Sequence, residues 1–165
     1  MRLEDRLTVE IRIDERWMNL IVPKMLLQPV IENAVKHGLE SHRGQGLLVV
    51  EAVPDAQYLN IRVSDNGAGM TADTLYHLHR SLLVPENEEQ DAEAALARGR
   101  QGIGMQNVHQ RLKYMFGDAY GIGIESKPGK GTRVTLRLPL PEGTTQSYGI
   151  QQPEEDNDDA YFDYR

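Results

Sequence analysis

Cysteine is absent from this chain of 165 residues. That excludes a disulfide scaffold, a cysteine nucleophile and a thiolate metal site. Also missing is any apolar run near the roughly 20 residues needed to cross a bilayer. The opening MRLEDRLTVE carries acids and no apolar stretch, so it does not read as a signal peptide. There is no surplus of positive charge either. The net charge is −7, which argues against non-specific nucleic-acid binding. Residues 153–165 carry −5 of it, so the rest of the chain is nearly neutral. What is present suits a packed core: 39% of the residues are hydrophobic and 26% charged. The length predicts one domain, here residues 1–142. The acidic stretch 143–165 is expected to be a disordered tail, because its residues bury too little to offset their ordering entropy.

Hydrophobic spacing predicts the elements. Residues 6–13 alternate, with Leu7, Val9, Ile11 and Ile13 on one side, and read as a strand with one buried face. In PKMLLQPVIENAVKHG the apolar positions follow helical spacing, and Gly38 makes a natural stop. Pro29 would clash with a carbonyl one turn back, so the helix starts near Gln28 or kinks there. Residues 47–53 and 58–64 read as strands around a Pro54-Asp55 turn. Residues 71–80 suit a helix, and 81–101, with Pro85 and five acids, a loop. Met105, Val108, Leu112 and Met115 mark an amphipathic helix with His109 on its surface. Residues 120–127 and 132–138 form a closing hairpin around Pro128-Gly129-Lys130-Gly131. Helices interrupting a mostly antiparallel set of strands predict an α+β fold. Its form is a two-layer sandwich with a mixed, mostly antiparallel sheet and helices on one face.

Three clusters carry chemistry. Glu32, Asn33, Lys36 and His37 end the first long helix, with Asn33 and His37 sharing one face. Read alone, they are equally a solvated helix face. Next comes Asp65-Asn66-Gly67-Ala68-Gly69 after a strand. A carboxylate at a strand end can accept from an exocyclic amine, and glycines beside it allow close approach to a flat ring. Read alone, this is more often a turn. Last is GRQGIGMQN running into a helix, where free N–H groups and the dipole favour phosphate. It lacks both the preceding strand of a dinucleotide fingerprint and the Gly-Lys-Ser/Thr ending of a Walker A loop.

Together, IENAVKHG, DNGAGM, GIGMQNVHQRL and GKGT resemble the motif boxes of the gyrase/chaperone/histidine-kinase/MutL ATPase superfamily. The match spans about residues 6–140. VPKMLLQPVIENAVKHG and GIGMQNVHQRLKYMFGD resemble the YesM/LytS-like sensor histidine kinases in particular. This resemblance implies a Bergerat-type ATP-binding fold with ATP and Mg²⁺ as cofactors. It implies that Asp65 takes the adenine amino group, with Thr132 supporting through water. Gly67 and Gly69, followed by Met70, would admit the ring, and Asn33 would hold Mg²⁺. Lys36 and His37 would lie near phosphate or ribose. Gly102, Ile103 and Gly104, with the amides of Met105, Gln106 and Asn107, would wrap the phosphates under a lid of about residues 71–101.

Two departures sharpen the expectation. Gyrase-type and chaperone-type members carry a water-activating glutamate four residues before the Mg²⁺ asparagine; here that position is Pro29. Glu32 immediately precedes Asn33, about 100° from it around the helix, so it does not simply replace that base; it is a candidate catalytic residue. Phosphoryl transfer, which relies mainly on positioning and metal charge, suits this better than hydrolysis. Second, none of the five histidines sits in a phosphoacceptor-like His-Phe-Leu-x-Asn context. The resemblance therefore implies the catalytic piece of a two-component sensor kinase. Its partners would be a separate phosphoacceptor histidine domain and, indirectly, a response regulator, with no nucleic acid and no direct membrane contact. Such a piece would lie in the cytoplasm as part of a membrane-anchored kinase. The alternatives are a nucleotide-gated binding module without transfer, and an anti-sigma-type serine kinase.

Overall fold

The computed structural model describes residues 6–23, 25–39, 44–83 and 103–141. The tail expected over 143–165 and Gly102 lie outside the described residues. Among the described residues five strands form one sheet: β1 (Leu7–Arg12), β2 (Gly46–Pro54), β3 (Tyr58–Asp65), β4 (Gly121–Lys127) and β5 (Gly131–Pro139). Their order is β1-β2-β3-β5-β4; β1 pairs parallel to β2 and the other pairs are antiparallel. The helices are α1 (Gln28–Asn33), α2 (Ala72–Leu83) and α3 (Ile103–Phe116), with a short 3₁₀ turn at Glu15–Trp17. The expected α+β sandwich is therefore the observed fold.

Alternation builds the core. Leu59, Ile61 and Val63 on β3 pair in register with Leu138, Leu136 and Val134 on β5. Ile122 and Ile124 extend the same face onto β4. Val30, Leu26, Met105, Val108 and Leu112 cover it from the helical layer. Each such side chain contributes about 1.5–3 kcal/mol by leaving water. These apolar rows stop together at one end. The next residues on that face are Asp65, Thr132 and Ser126, adjacent across three strands. The site is built at that end.

Pro29 occupies the first turn of α1, where its missing N–H is unneeded, so the helix begins at Gln28 without a kink. From Ala34 to Leu39 the turn widens into a π-helix. Such segments are rare and concentrate at functional positions.

Several expectations need correction. The expected apolar face of β1 is buried only in part: Leu7 and Ile13 pack half-buried against the core, whereas Val9 is 52% and Ile11 68% exposed. Val9 and Ile11 pair with the core residues Leu48 and Val50, but the helices lie over the other strands and leave this edge open. Within the expected lid, the helix predicted over 71–80 is present as Ala72–Leu83 and is packed. Leu82 is buried, the His79 ring bonds the Ile124 carbonyl at 2.9 Å, and Gln110 donates to the Leu82 carbonyl at 3.1 Å. The remainder, 84–101, lies outside the described residues. Met115 is exposed, so the buried stripe of α3 is Met105, Val108 and Leu112. His109 is half-buried against β4, where its Nδ1 accepts from the Ile122 amide at 3.1 Å.

Candidate functional site at the polar end of the sheet

Asp65 ends β3 and is only 2% exposed. Burial pushes its pKa up to about 6, and the backbone amides of Gly67 and Thr132 counter that only in part. The Gly67 amide donates to Oδ1 at 2.9 Å. A buried carboxyl near neutrality in a polar cluster is a mark of binding sites.

Glycines let three chain segments close around it. A Cβ on Gly38, in the π-helical turn, would stand 2.5 Å from Asp65 Oδ1. One on Gly67 would collide with the Gly38 backbone. Gly69, at φ +65°, faces the Lys127 carbonyl, and Gly131, at φ +87°, faces the Asp65 carbonyl; neither leaves room for a Cβ. The Ala68 amide donates to the Gly38 carbonyl at 3.0 Å, and the Gly129 amide to the Ala68 carbonyl at 2.6 Å. The first helix, the DNGAG turn and the GKGT hairpin thus meet at Asp65. The side on which Gly67 and Gly69 lack a side chain is filled by the protein's own backbone.

The other end of the site lies between α1 and α3. A Cβ on Gly104 would be 3.2 Å from Pro29 Cβ, so the start of α3 abuts the first turn of α1. Asn33 stands one turn further along and is half-buried; Lys36 and His37 are exposed. Glu32 is exposed and accepts from Gln28 Nε2 at 2.9 Å, one turn back along its own helix. The side chains of Met105 and Gln106 are buried, whereas Ile103 and Asn107 are exposed. Any role of Met105 toward a ligand is therefore through its amide. The N-terminal end of a helix carries the positive end of its dipole, which favours an anion beside the start of α3.

Three participants escape a reading of the sequence. Gly38 registers there as a helix stop, yet it is the surface against which Asp65 and Gly67 pack. Asn66 staples β2: its Oδ1 accepts from the Leu47 amide at 2.7 Å and its Nδ2 donates to the Gln45 carbonyl at 3.0 Å. Ser126 is buried beside Thr132, with 2.9 Å between their hydroxyls. Its signal is the alternation Ile122, Ile124, Ser126, which puts a hydroxyl where an apolar residue is due.

The donor set fits a nucleotide. It offers a buried acceptor for an amine at one end and a helix start for phosphate at the other. Among the described residues no group of three or more His, Asp or Glu could hold a metal ion. A Mg²⁺ ion here would lean on phosphates, water and the Asn33 amide oxygen, which suits its reluctance to dehydrate.

Residues 19–142 match the family of histidine kinase-, DNA gyrase B- and HSP90-like ATPases. The chain is similar to the sensor histidine kinase YesM of Bacillus subtilis, at 30% identity over 138 residues. It is similar to the sensor histidine kinase BtsS of Escherichia coli K12, at 32% over 138 residues. Each alignment covers 84% of this chain and 20% of the relative, so the chain spans about a fifth of their length. Its fold is like the histidine kinase domain of the Erythrobacter litoralis blue-light activated histidine kinase. There the TM-score is 0.51 at 18% identity, covering 82% of this chain and 52% of that one.

Proposed function

The chain belongs to the histidine kinase-, DNA gyrase B- and HSP90-like ATPase family, and from that premise we propose that it binds Mg-ATP for transfer to a histidine. The acceptor histidine belongs to a separate phosphoacceptor domain of a two-component sensor kinase, which then passes the group to a response regulator. The observation that carries this reading is Asp65, a carboxyl buried beside Thr132 at the meeting of three glycine-bearing segments.

In this reading Asp65 accepts from the exocyclic amine of adenine, and Thr132 supports it through water. The amides at the start of α3 hold the phosphates, and Lys36 and His37 lie beside the phosphates or ribose. Bound Mg-ATP supplies the transferable γ-phosphoryl group and the metal's charge, with Asn33 as its protein ligand. Pro29 puts no acid where a hydrolytic base would sit, and Glu32 is turned toward Gln28. The site therefore positions a phosphoryl group without activating water. Its place would be the cytoplasmic part of a membrane-anchored kinase; among the described residues no helix is long and apolar enough to cross a membrane.

Calorimetry with ADP and labelling with γ-labelled ATP test this. ADP should bind. The domain alone should stay unlabelled, and label should appear on an added helical fragment that carries a phosphoacceptor histidine. Rapid phosphate release without transfer would place the chain on the hydrolytic branch instead.

A further inference from the structure

The nucleotide reading uses Asp65 and Thr132 but gives no task to Ser126, the third polar residue in that row. Ser126 is 6% exposed, and its Oγ meets three polar atoms. The Met70 amide lies at 2.8 Å, the Gly131 carbonyl at 2.9 Å and Thr132 Oγ1 at 2.9 Å.

A hydroxyl has one proton to give and two lone pairs to offer. The Met70 N–H can only donate, so it takes one lone pair. The Gly131 carbonyl can only accept, so it takes the proton. What Ser126 has left is a lone pair. The bond between the two hydroxyls must therefore run from Thr132 to Ser126. Thr132 has one hydroxyl proton, and it is committed to the Ser126 side. On its other side, toward Asp65, Thr132 Oγ1 offers lone pairs alone.

We propose that Ser126 is a specificity-determining residue that acts by position: it holds Thr132 as an acceptor, so the pocket selects a purine with an amine, not a carbonyl, at position 6. This rests on the reading that the base sits at Asp65. An amine carries two N–H groups, one for Asp65 and one for Thr132, or for a water whose two protons are both given to Asp65 and Thr132 and which then offers the base only lone pairs. A carbonyl there would face acceptors on both sides. Removing the Ser126 hydroxyl frees the Thr132 proton to turn and meet a carbonyl. A site left with mismatched polar groups discriminates strongly, so the effect belongs in selectivity.

The test is the ratio of ADP to inosine diphosphate affinity, measured by calorimetry on wild type, Ser126→Ala and Ser126→Thr. Wild type should prefer ADP by at least about tenfold. Ser126→Ala should reduce that ratio about tenfold, and Ser126→Thr, which keeps the hydroxyl, should restore it. Equal weakening of both nucleotides in Ser126→Ala would make Ser126 a packing residue and overturn the proposal. Equal binding of both nucleotides by wild type would overturn it while leaving the nucleotide reading intact. A folded wild type that binds neither nucleotide overturns both. If Ser126→Ala does not fold, Ser126→Cys keeps the volume with a poorer donor and acceptor. It should lose part of the selectivity, and an equal loss with both nucleotides counts against the proposal there too.

Discussion

Asp55 lies in the turn that leads into β3, and Asp65 closes the same strand. The Asp55 carboxylate is ringed by donors: Oδ1 accepts the amides of Gln57 at 2.9 Å and Tyr58 at 2.7 Å, and Oδ2 accepts Asn60 Nδ2 at 2.7 Å. Burial pushes its pKa up, but these hydrogen bonds outweigh burial and leave it below the ordinary value of 3.8. At Asp65 the balance is reversed, and burial wins over the amides of Gly67 and Thr132. One end of the strand spends its carboxylate on the fold. The other keeps a charge the fold does not need, which is what a partner amine can use. Folding stability and ligand binding should therefore separate along this single strand.

The largest effect should come from crowding the Asp65 end. Gly131→Ala sets a methyl against the Asp65 carbonyl at φ +87°. Left-handed strain and overpacking together should destabilise by about 3–5 kcal/mol. Gly129→Ala, at φ +72° in the same turn with nothing within 4 Å, should lose only about 1–2 kcal/mol. Urea unfolding of the pair measures the difference; equal losses would mean that close packing at Asp65 contributes nothing.

The next effect has opposite signs for stability and binding. The folded pKa of Asp65 is raised from 3.8 to about 6. The folded state thus holds that proton more tightly than the unfolded chain does. The stability it brings is complete below pH 3.8 and is lost as pH rises through about 6. Asp65→Asn removes the titration. The variant should be more stable than wild type at pH 8 by up to about 3 kcal/mol, and the gain should vanish near pH 4. Its amide replaces an acceptor by a donor against the adenine amine, so ADP affinity should fall about 10–100-fold. A variant that loses stability at pH 8 would sink the idea that Asp65 is held for a ligand.

Asp55→Ala should behave in the contrary way. Loss of three hydrogen bonds at a half-exposed turn should cost about 1–3 kcal/mol at pH 7, with ADP affinity unchanged. Because the folded pKa is depressed, that contribution is present above 3.8 and is lost as pH falls through the folded value. The gap in stability between wild type and variant should narrow progressively as pH is lowered below 3.8. A weakened ADP affinity would show that the two ends of β3 are coupled.

How much of this was legible beforehand follows from what a periodic pattern can say. The four strands β2 to β5 declare themselves through alternation and turn residues, and α3 through its apolar stripe. The polar end of the first helix and the two glycine-rich stretches are visible as motifs, and the structure brings the described parts of all three together. Alternation names a face, however, and not what covers it. Val9 and Ile11 share the core side of the sheet and stay exposed because β1 is an edge. Ser126 and Asn66 acquire their meaning from strand register, and Gly38 from the backbone packed on it. None of these is local in sequence. The packing of Ala72–Leu83 likewise rests on contacts with α3 and β4.

The smallest effect lies away from the site and runs against that of Asp65. The His109 ring packs on Gly121, where a Cβ would stand 2.7 Å from it. Burial first, then the Lys113 charge, holds its pKa below 6.5. The Ile122 amide donates to Nδ1, and only a ring without a proton there can accept. Lys113 also pairs with Asp118 at 3.1 Å. A lowered folded pKa means that the unfolded chain binds the proton more readily. The contribution of His109 is complete above pH 6.5 and is lost as pH falls through the folded value. Over the same descent Asp65 gains stability, so a wild-type curve between pH 8 and 5 mixes two opposing slopes. The Asp65→Asn background removes one of them. In that background stability should fall by about 0.5–1.5 kcal/mol on acidification, one hydrogen bond's worth. Adding His109→Gln, whose side-chain carbonyl can accept the same amide, should flatten the fall. A slope that survives this double substitution would assign the pH dependence to a group other than His109.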